Sequence, residues 1–83
     1  MFTINFLQYR IVVLHFQINQ DRSIVTIKVY DYIGREAADL FLDVLNKGEY
    51  SQKIKLGNIP KGYYYIVIEI NDLVVGIQII ISR

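Results

Sequence analysis

The chain has 83 residues, a formal net charge of +1 and no cysteine. These values exclude more than one domain of ordinary size, a disulfide framework and thiolate chemistry, and they give no electrostatic argument for binding nucleic acid. Apolar residues make up 53% of the chain, and they are mainly β-branched or aromatic, a composition that favours strands. We therefore expect one all-β domain over residues 1–83.

Apolar and polar residues alternate along most of the chain at the period of two that indicates half-buried strands. Polar or glycine-containing turns separate these segments, and the Asp31–Gly34 segment is one of them. Residues 36–42 could hold a helical turn, but we interpret them as an irregular strand. Asn71 and Asp72 predict a two-residue hairpin turn. The predicted strands are residues 3–7, 10–18, 24–31, 36–42, 50–56, 62–70 and 73–82.

Seven short strands without a helix predict an antiparallel, immunoglobulin-like β-sandwich, with a small closed barrel as the alternative. Tyr64 lies two residues into the sixth strand, where a tyrosine corner would bond its hydroxyl to loop backbone, although it could equally be one more core aromatic. The residues predicted to face the core are Val12, Leu14, Phe16, Val25, Ile27, Val29, Ile54, Leu56, Tyr64, Ile66 and Ile68.

Three segments carry a resemblance to a known family. Residues 25–36, VTIKVYDYIGRE, resemble the signature V-x-I-x-I-Y-D-x-x-G-R-x-V of the C-terminal sorting domains of the bacterial type IX secretion system. Residues 56–64, LGNIPKGYY, resemble that family's L-x-x-L-P-x-G-x-Y, and residues 75–83 are similar to its last strand. The matched motif residues are Tyr30, Asp31, Gly34, Arg35, Pro60, Gly62 and Tyr64.

The resemblance implies recognition and no catalysis. Such a domain directs a larger exported precursor through an outer-membrane translocon to the cell surface of a Bacteroidetes-type bacterium, where a sortase-like protease often cleaves the precursor. By this analogy the partners are the translocon and the surface sortase-like machinery, with no cofactor, nucleic acid or small-molecule substrate. The residues expected to carry recognition are Leu73, Val75, Ile77, Gln78, Ile79, Ile81 and Arg83.

Two other functions stay open. The same fold could serve as a structural or adhesion module of an extracellular protein or filament, or as a self-associating β subunit. The related module of flagellar hook-capping proteins shares the Tyr-Asp-x-x-Gly segment, but it usually carries a Trp-Asp-Gly motif, and this chain has no tryptophan. The sorting domain is therefore the preferred interpretation.

The last predicted strand is apolar on both faces, because Val74 and Ile80 add apolar groups opposite the core-facing residues. We favour a central strand, or a well-buried hairpin, that covers them. The alternative is an exposed strand that invites strand addition or self-association.

No catalytic or metal site emerges from the remaining residues. His15 is the only histidine and has no cysteine to share a zinc ion. The aspartates at positions 21, 31, 39 and 43 lack calcium-loop spacing, and the serines have no base at motif spacing. Tyr63 and Tyr65 could form a stacking or sugar-binding surface, but an inter-sheet or interdomain contact is the preferred interpretation.

Overall fold

A computed structural model describes residues 2–8 and 10–82, with side chains for residues 10–82. The described chain is all-β, with two antiparallel sheets and no helix among these residues. Six strands have described side chains, and β1, Phe2–Gln8, is described by its backbone. The six are β2 (Ile11–Ile18), β3 (Ser23–Asp31), β4 (Glu36–Leu45), β5 (Gly48–Lys55), β6 (Gly62–Ile70) and β7 (Leu73–Ile81).

The smaller sheet has the order β1-β2-β5, and the larger has the order β4-β3-β6-β7. Every neighbouring pair is antiparallel. The predictions of an all-β chain and of antiparallel sheets are confirmed. The predicted strand count corresponds to the six strands with described side chains together with the backbone strand β1.

One hydrophobic core joins the two sheets. Strand alternation places every second side chain of β2, β3 and β6 inside, because successive side chains point to opposite faces. All eleven residues predicted to face the core are buried, and Ile18, Ile59, Ile79 and Ile81 join them. Ser23 is the buried polar residue of the described chain, and its hydroxyl donates to the Gln20 carbonyl oxygen at 2.6 Å.

The segment predicted to be an irregular strand forms β4, and its irregularity lies in its pairing with β3. β4 pairs with β3 through two register shifts, one between Ile27 and Lys28 and one between Val29 and Tyr30. Such bulges bend an edge strand and disrupt its hydrogen-bond ladder. The strand extends to Leu45, three residues beyond the predicted end.

The preferred interpretation of the last strand was wrong. β7 is an edge strand, since it pairs with β6 alone at one end of the larger sheet. Val74 is 61% exposed and Ile80 58% exposed. No described segment covers their face, so the strand is exposed, and strand addition or self-association stays a prediction.

Candidate recognition strand

The three sequence motifs meet at one end of the four-stranded sheet. The register places Asp31 of β3 beside Tyr64 of β6, and Tyr64 beside Ile79 of β7. Two rows further, Gly62 is opposite Ile81. Residues separated by about fifty positions in the sequence thus lie within three consecutive rows at the end of the sheet where β7 finishes.

The first motif builds the turn between β3 and β4. The Asp31 side chain accepts hydrogen bonds from the backbone N–H groups of Ile33 (3.1 Å) and Arg35 (2.9 Å), and its second oxygen lies 3.0 Å from Arg35 Nε. Gly34 has φ +92°, as its predicted turn role requires, and its N–H donates to the Asp31 carbonyl oxygen at 3.0 Å.

These contacts lower the pKa of Asp31. The largest cause is the hydrogen bond from the backbone N–H of Arg35. Desolvation, the second largest effect, opposes it, and the Arg35 side chain and the Ile33 N–H lower the pKa further. On the adjoining surface, Lys28 Nζ lies 3.3 Å from Glu36 Oε1, and this hydrogen-bonded carboxylate raises the pKa of Lys28. Both ion pairs reinforce the β3–β4 hairpin.

The second motif forms the predicted tyrosine corner. The Tyr64 hydroxyl donates to the Pro60 carbonyl oxygen at 2.6 Å, while the ring is buried in the core. Gly62 has φ +152°, and a Cβ built there would lie 3.5 Å from Tyr64 Cε2. The motif therefore fixes the loop that precedes β6.

A second corner of the same kind precedes β5. The Tyr50 hydroxyl donates to the Asn46 carbonyl oxygen at 2.7 Å, and Gly48 also has φ +152°. Residues 46–50 and 60–64 share the pattern Lys-Gly-x-Tyr, with the acceptor carbonyl four residues before the tyrosine. This correspondence was not predicted, although the repeated pattern in the sequence could have revealed it.

The loop before β6 is also held from the other sheet. Arg10 adopts φ 65°, and its guanidinium donates to the carbonyl oxygens of Gly57 (2.9 Å) and Ile59. The Arg10 carbonyl oxygen accepts from the Leu56 N–H at 2.8 Å. No local sequence pattern indicates this role, because the contact spans nearly fifty residues.

The predicted recognition residues occupy distinct environments along β7. Ile79 and Ile81 are buried, Val75 and Ile77 are half-buried, and Leu73 is 59% exposed although it lies on the core-facing side. Gln78 is exposed on the outer face, opposite Tyr65. Arg83 lies outside the described residues. The strand is thus anchored near its end and open along its edge.

The outer face of the same sheet carries more exposed apolar groups. Tyr63 is opposite Ile80, and Tyr65 is opposite both Tyr30 and Gln78. Tyr63 is 55% exposed and Tyr65 39% exposed. The inter-sheet part of the predicted contact is wrong, because these tyrosines face away from the core, and the interdomain part stays a prediction.

The residues considered for catalysis or metal binding have structural contacts. His15 Nδ1 lies 2.7 Å from Ser51 Oγ across the β2–β5 pair, a contact that sequence spacing did not reveal. Asp21 Oδ1 accepts from the Lys47 N–H at 2.9 Å. Within residues 2–8 and 10–82, no three His, Asp or Glu side chains are grouped as metal ligands would be. The same residues contain no helix long and apolar enough to cross a membrane.

The family comparison identifies the class to which these motifs belong. A family model described as the secretion system C-terminal sorting domain matches residues 11–82, from the first residue of β2 to the residue after β7. Folded β domains of this class act as secretion signals. Comparison with curated proteins and with solved structures gave no match.

The chain belongs to the secretion system C-terminal sorting domain family. It is a sorting signal for type IX secretion, as the motif resemblance predicted. A domain of this family is part of a precursor that is exported to the cell surface or secreted, and it interacts with the secretion machinery.

Proposed function

We propose that the secretion machinery recognises this domain through β7 and the adjoining end of the four-stranded sheet. The supporting observation is that the Asp31 turn, the Tyr64 corner and the end of β7 lie within three consecutive rows of one sheet. The first two features, the Asp31 turn and the Tyr64 corner, are built from turn and core contacts. The third, β7, combines a buried anchor with an open edge, and it is the feature best suited to contact a partner.

The anchor and the open edge have separate roles in this proposal. Ile79 and Ile81 are 3% and 6% exposed, and they hold the strand on the core. Ile80 lies between them, Gln78 lies immediately before Ile79, and both project outward. A partner that contacts the edge or the outer face would reach Gln78 and Ile80 without displacing the anchor.

The immunoglobulin-like assignment is part of the same proposal. The orders β1-β2-β5 and β4-β3-β6-β7 correspond to strands A-B-E and C′-C-F-G of such a sandwich. Tyr64 stands near the start of β6, which would be strand F, where the tyrosine corner of these domains is found. This topology, together with the core shared by the two sheets, supports the sandwich over the barrel.

We further propose that the domain has no catalytic role of its own. A serine nucleophile needs a base that a third group orients. His15 and Ser51 form a cross-strand pair on the outer face of the smaller sheet, and no Asp or Glu of the described residues bonds to His15. The translocon and a surface sortase-like protease are the proposed partners.

A reporter fusion tests the recognition role. The 83-residue chain is fused to the C-terminus of a reporter with a cleavable export signal and expressed in a type IX host. We expect the reporter at the cell surface, where added protease digests it. A reporter that stays in the periplasm would contradict the sorting role and favour the structural module.

Point variants then test β7 itself. Gln78→Glu combined with Arg83→Glu changes the end of the chain, and Gln78 is outside the core. We expect a loss of surface reporter with an unchanged melting temperature of the purified chain. The control for Gln78→Glu is Lys53→Gln on β5, which changes the net charge by the same amount at another exposed position. Normal export of the double variant would contradict recognition through these residues.

Deleting residues 78–83 is a less selective test. The deletion removes Ile79 and Ile81 from the core, a loss of about 3–6 kcal/mol of burial. We expect export to fail, but unfolding could cause the same failure. The deletion is therefore interpretable only beside the melting temperature of the truncated chain.

A further inference from the structure

The edge of β7 lacks the features that usually prevent strand addition. Exposed edge strands commonly carry charges, proline or bulges that block pairing with another chain. Residues 73–81, LVVGIQIII, contain no charged residue and no proline, and all nine pair with β6 without a register shift. This strand thus has no bulge in its pairing with β6, is apolar and is open along one side.

The other edge strands with described side chains are protected. β4 carries Glu36, Asp39 and Asp43 and has two register shifts. β5 carries Glu49, Lys53 and Lys55. Of these three edge strands, β7 is therefore the unprotected one.

The register determines which backbone groups face the open side. Leu73 is opposite Ile70 across the two-residue turn, and the residues that flank such a turn commonly exchange hydrogen bonds. In an antiparallel pair, hydrogen-bonded and non-hydrogen-bonded residues alternate. The odd-numbered residues of β7 therefore bond to β6. The N–H and C=O groups on the open side are those of Val74, Gly76, Gln78 and Ile80.

We propose that β7 pairs with β7 of a second copy of this chain, antiparallel and with the two-fold axis at Ile77. In this register Val74 is opposite Ile80 of the second copy, and Gly76 is opposite Gln78. Both are hydrogen-bonded pairs that use the open backbone groups. The two four-stranded sheets would form one continuous eight-stranded sheet.

Side-chain chemistry favours a second copy as the occupant. The pairs Val74–Ile80, Val75–Ile79 and Leu73–Ile81 are all apolar and no charge meets a like charge, so the edge is complementary to itself. Leu73, Val74 and Ile80 are 59%, 61% and 58% exposed in the single chain. Pairing covers part of each, which gives an apolar contribution beyond the backbone hydrogen bonds.

The dimer is weak, because one strand edge buries less than the roughly 800 Å² per partner of a standard stable interface. Association therefore depends on concentration and is reversible. If the secretion machinery also binds β7, self-pairing and export compete for the same edge. This consequence rests on the proposed function.

Solution association of the purified 83-residue chain tests the pairing. Sedimentation equilibrium from about 10 µM to about 1 mM should show a reversible monomer–dimer equilibrium. Ile80→Lys should weaken association at least ~10-fold, because a lysine on the edge strand lies against an apolar partner. The control is Ile24→Lys, since Ile24 is 55% exposed on the central strand β3 and should leave association unchanged.

Disulfide trapping tests the register. The chain has no cysteine, so Ile77→Cys introduces a single thiol per copy at the two-fold axis. Residues opposite each other in a non-hydrogen-bonded pair have Cα atoms about 4.5 Å apart, within disulfide range. We expect rapid formation of a covalent dimer under mild oxidation, whereas Lys53→Cys on β5 should cross-link slowly.

A mixture of Gly76→Cys and Gln78→Cys chains provides a second test at exposed positions, in case Ile77→Cys perturbs the core. The mixture should give mainly the disulfide between unlike chains. A monomer at all concentrations, equal effects of Ile80→Lys and Ile24→Lys, or no selective cross-linking would each overturn the proposal. These measurements need no secretion host, so their failure would leave the sorting role untouched.

Discussion

The tyrosine corner at Tyr64 provides a direct test of how the motif stabilises the fold. Tyr64→Phe removes only the hydroxyl that donates to the Pro60 carbonyl oxygen at 2.6 Å and leaves the buried ring in place. A net intramolecular hydrogen bond contributes about 0.5–1.5 kcal/mol. Because Pro60 is exposed, water can replace the lost donor, so we expect a cost of about 1 kcal/mol.

Thermal denaturation followed by circular dichroism measures this cost. For a domain of this size, 1 kcal/mol corresponds to a decrease of about 4–8 °C in melting temperature. The control is Tyr63→Phe, since Tyr63 is 55% exposed and its hydroxyl has no protein partner among residues 10–82. The control should leave the melting temperature nearly unchanged.

The second corner extends the same test. Tyr50→Phe removes the bond to the Asn46 carbonyl oxygen, but Tyr50 is only half-buried and Asn46 is exposed. Its cost should be about 0.5 kcal/mol, at the lower end of the range. For the first corner, equal melting temperatures for Tyr64→Phe and the original chain would refute the reasoning. They would mean that the hydrogen bond from the Tyr64 hydroxyl stabilises the fold no more than the hydrogen bonds to water that replace it.

Two further changes test the turn that follows β3. Gly34→Val should cost about 1–3 kcal/mol, because φ is +92° there and a β-branched side chain is strained in that region, whereas Gly76→Ala, at ordinary φ with open space around it, should cost much less. The pKa of Asp31 is lowered in the folded chain, so its contribution to stability is present above the pKa of the unfolded state and is lost as pH falls through the folded pKa. Melting temperatures across pH 2–7 should therefore show the original chain losing its advantage over Asp31→Asn in acid, and a difference that is constant with pH would contradict the assigned role of the carboxylate.

The hairpin between β6 and β7 shows where sequence and tertiary structure contribute separately. The Asn-Asp pair predicted a two-residue turn, and Asn71 has φ 54°, a region that asparagine tolerates better than most residues. Its side chain also accepts from the Ile24 N–H at 3.0 Å and donates to the Ser23 hydroxyl at 3.1 Å. These contacts join β3 to the turn, and local sequence holds no information about them.

The sequence by itself determined the strands, the core-facing residues and the family. Alternation at a period of two is a local property, so Val25, Ile27 and Val29 could be assigned to the core without knowing their partners. The turn and corner motifs are equally local, because Asp31 and Tyr64 bond to backbone within four residues. Both could therefore be predicted from the chain alone.

Tertiary structure decided which strands became edges. Ile80 and Val74 have the same alternation whether β7 is central or peripheral, and only the order β4-β3-β6-β7 leaves their face and edge open. The Arg10 contacts with the loop before β6 depend likewise on how the two sheets meet. Strand order is set by contacts between distant segments, and a periodic pattern along one segment does not encode its neighbours.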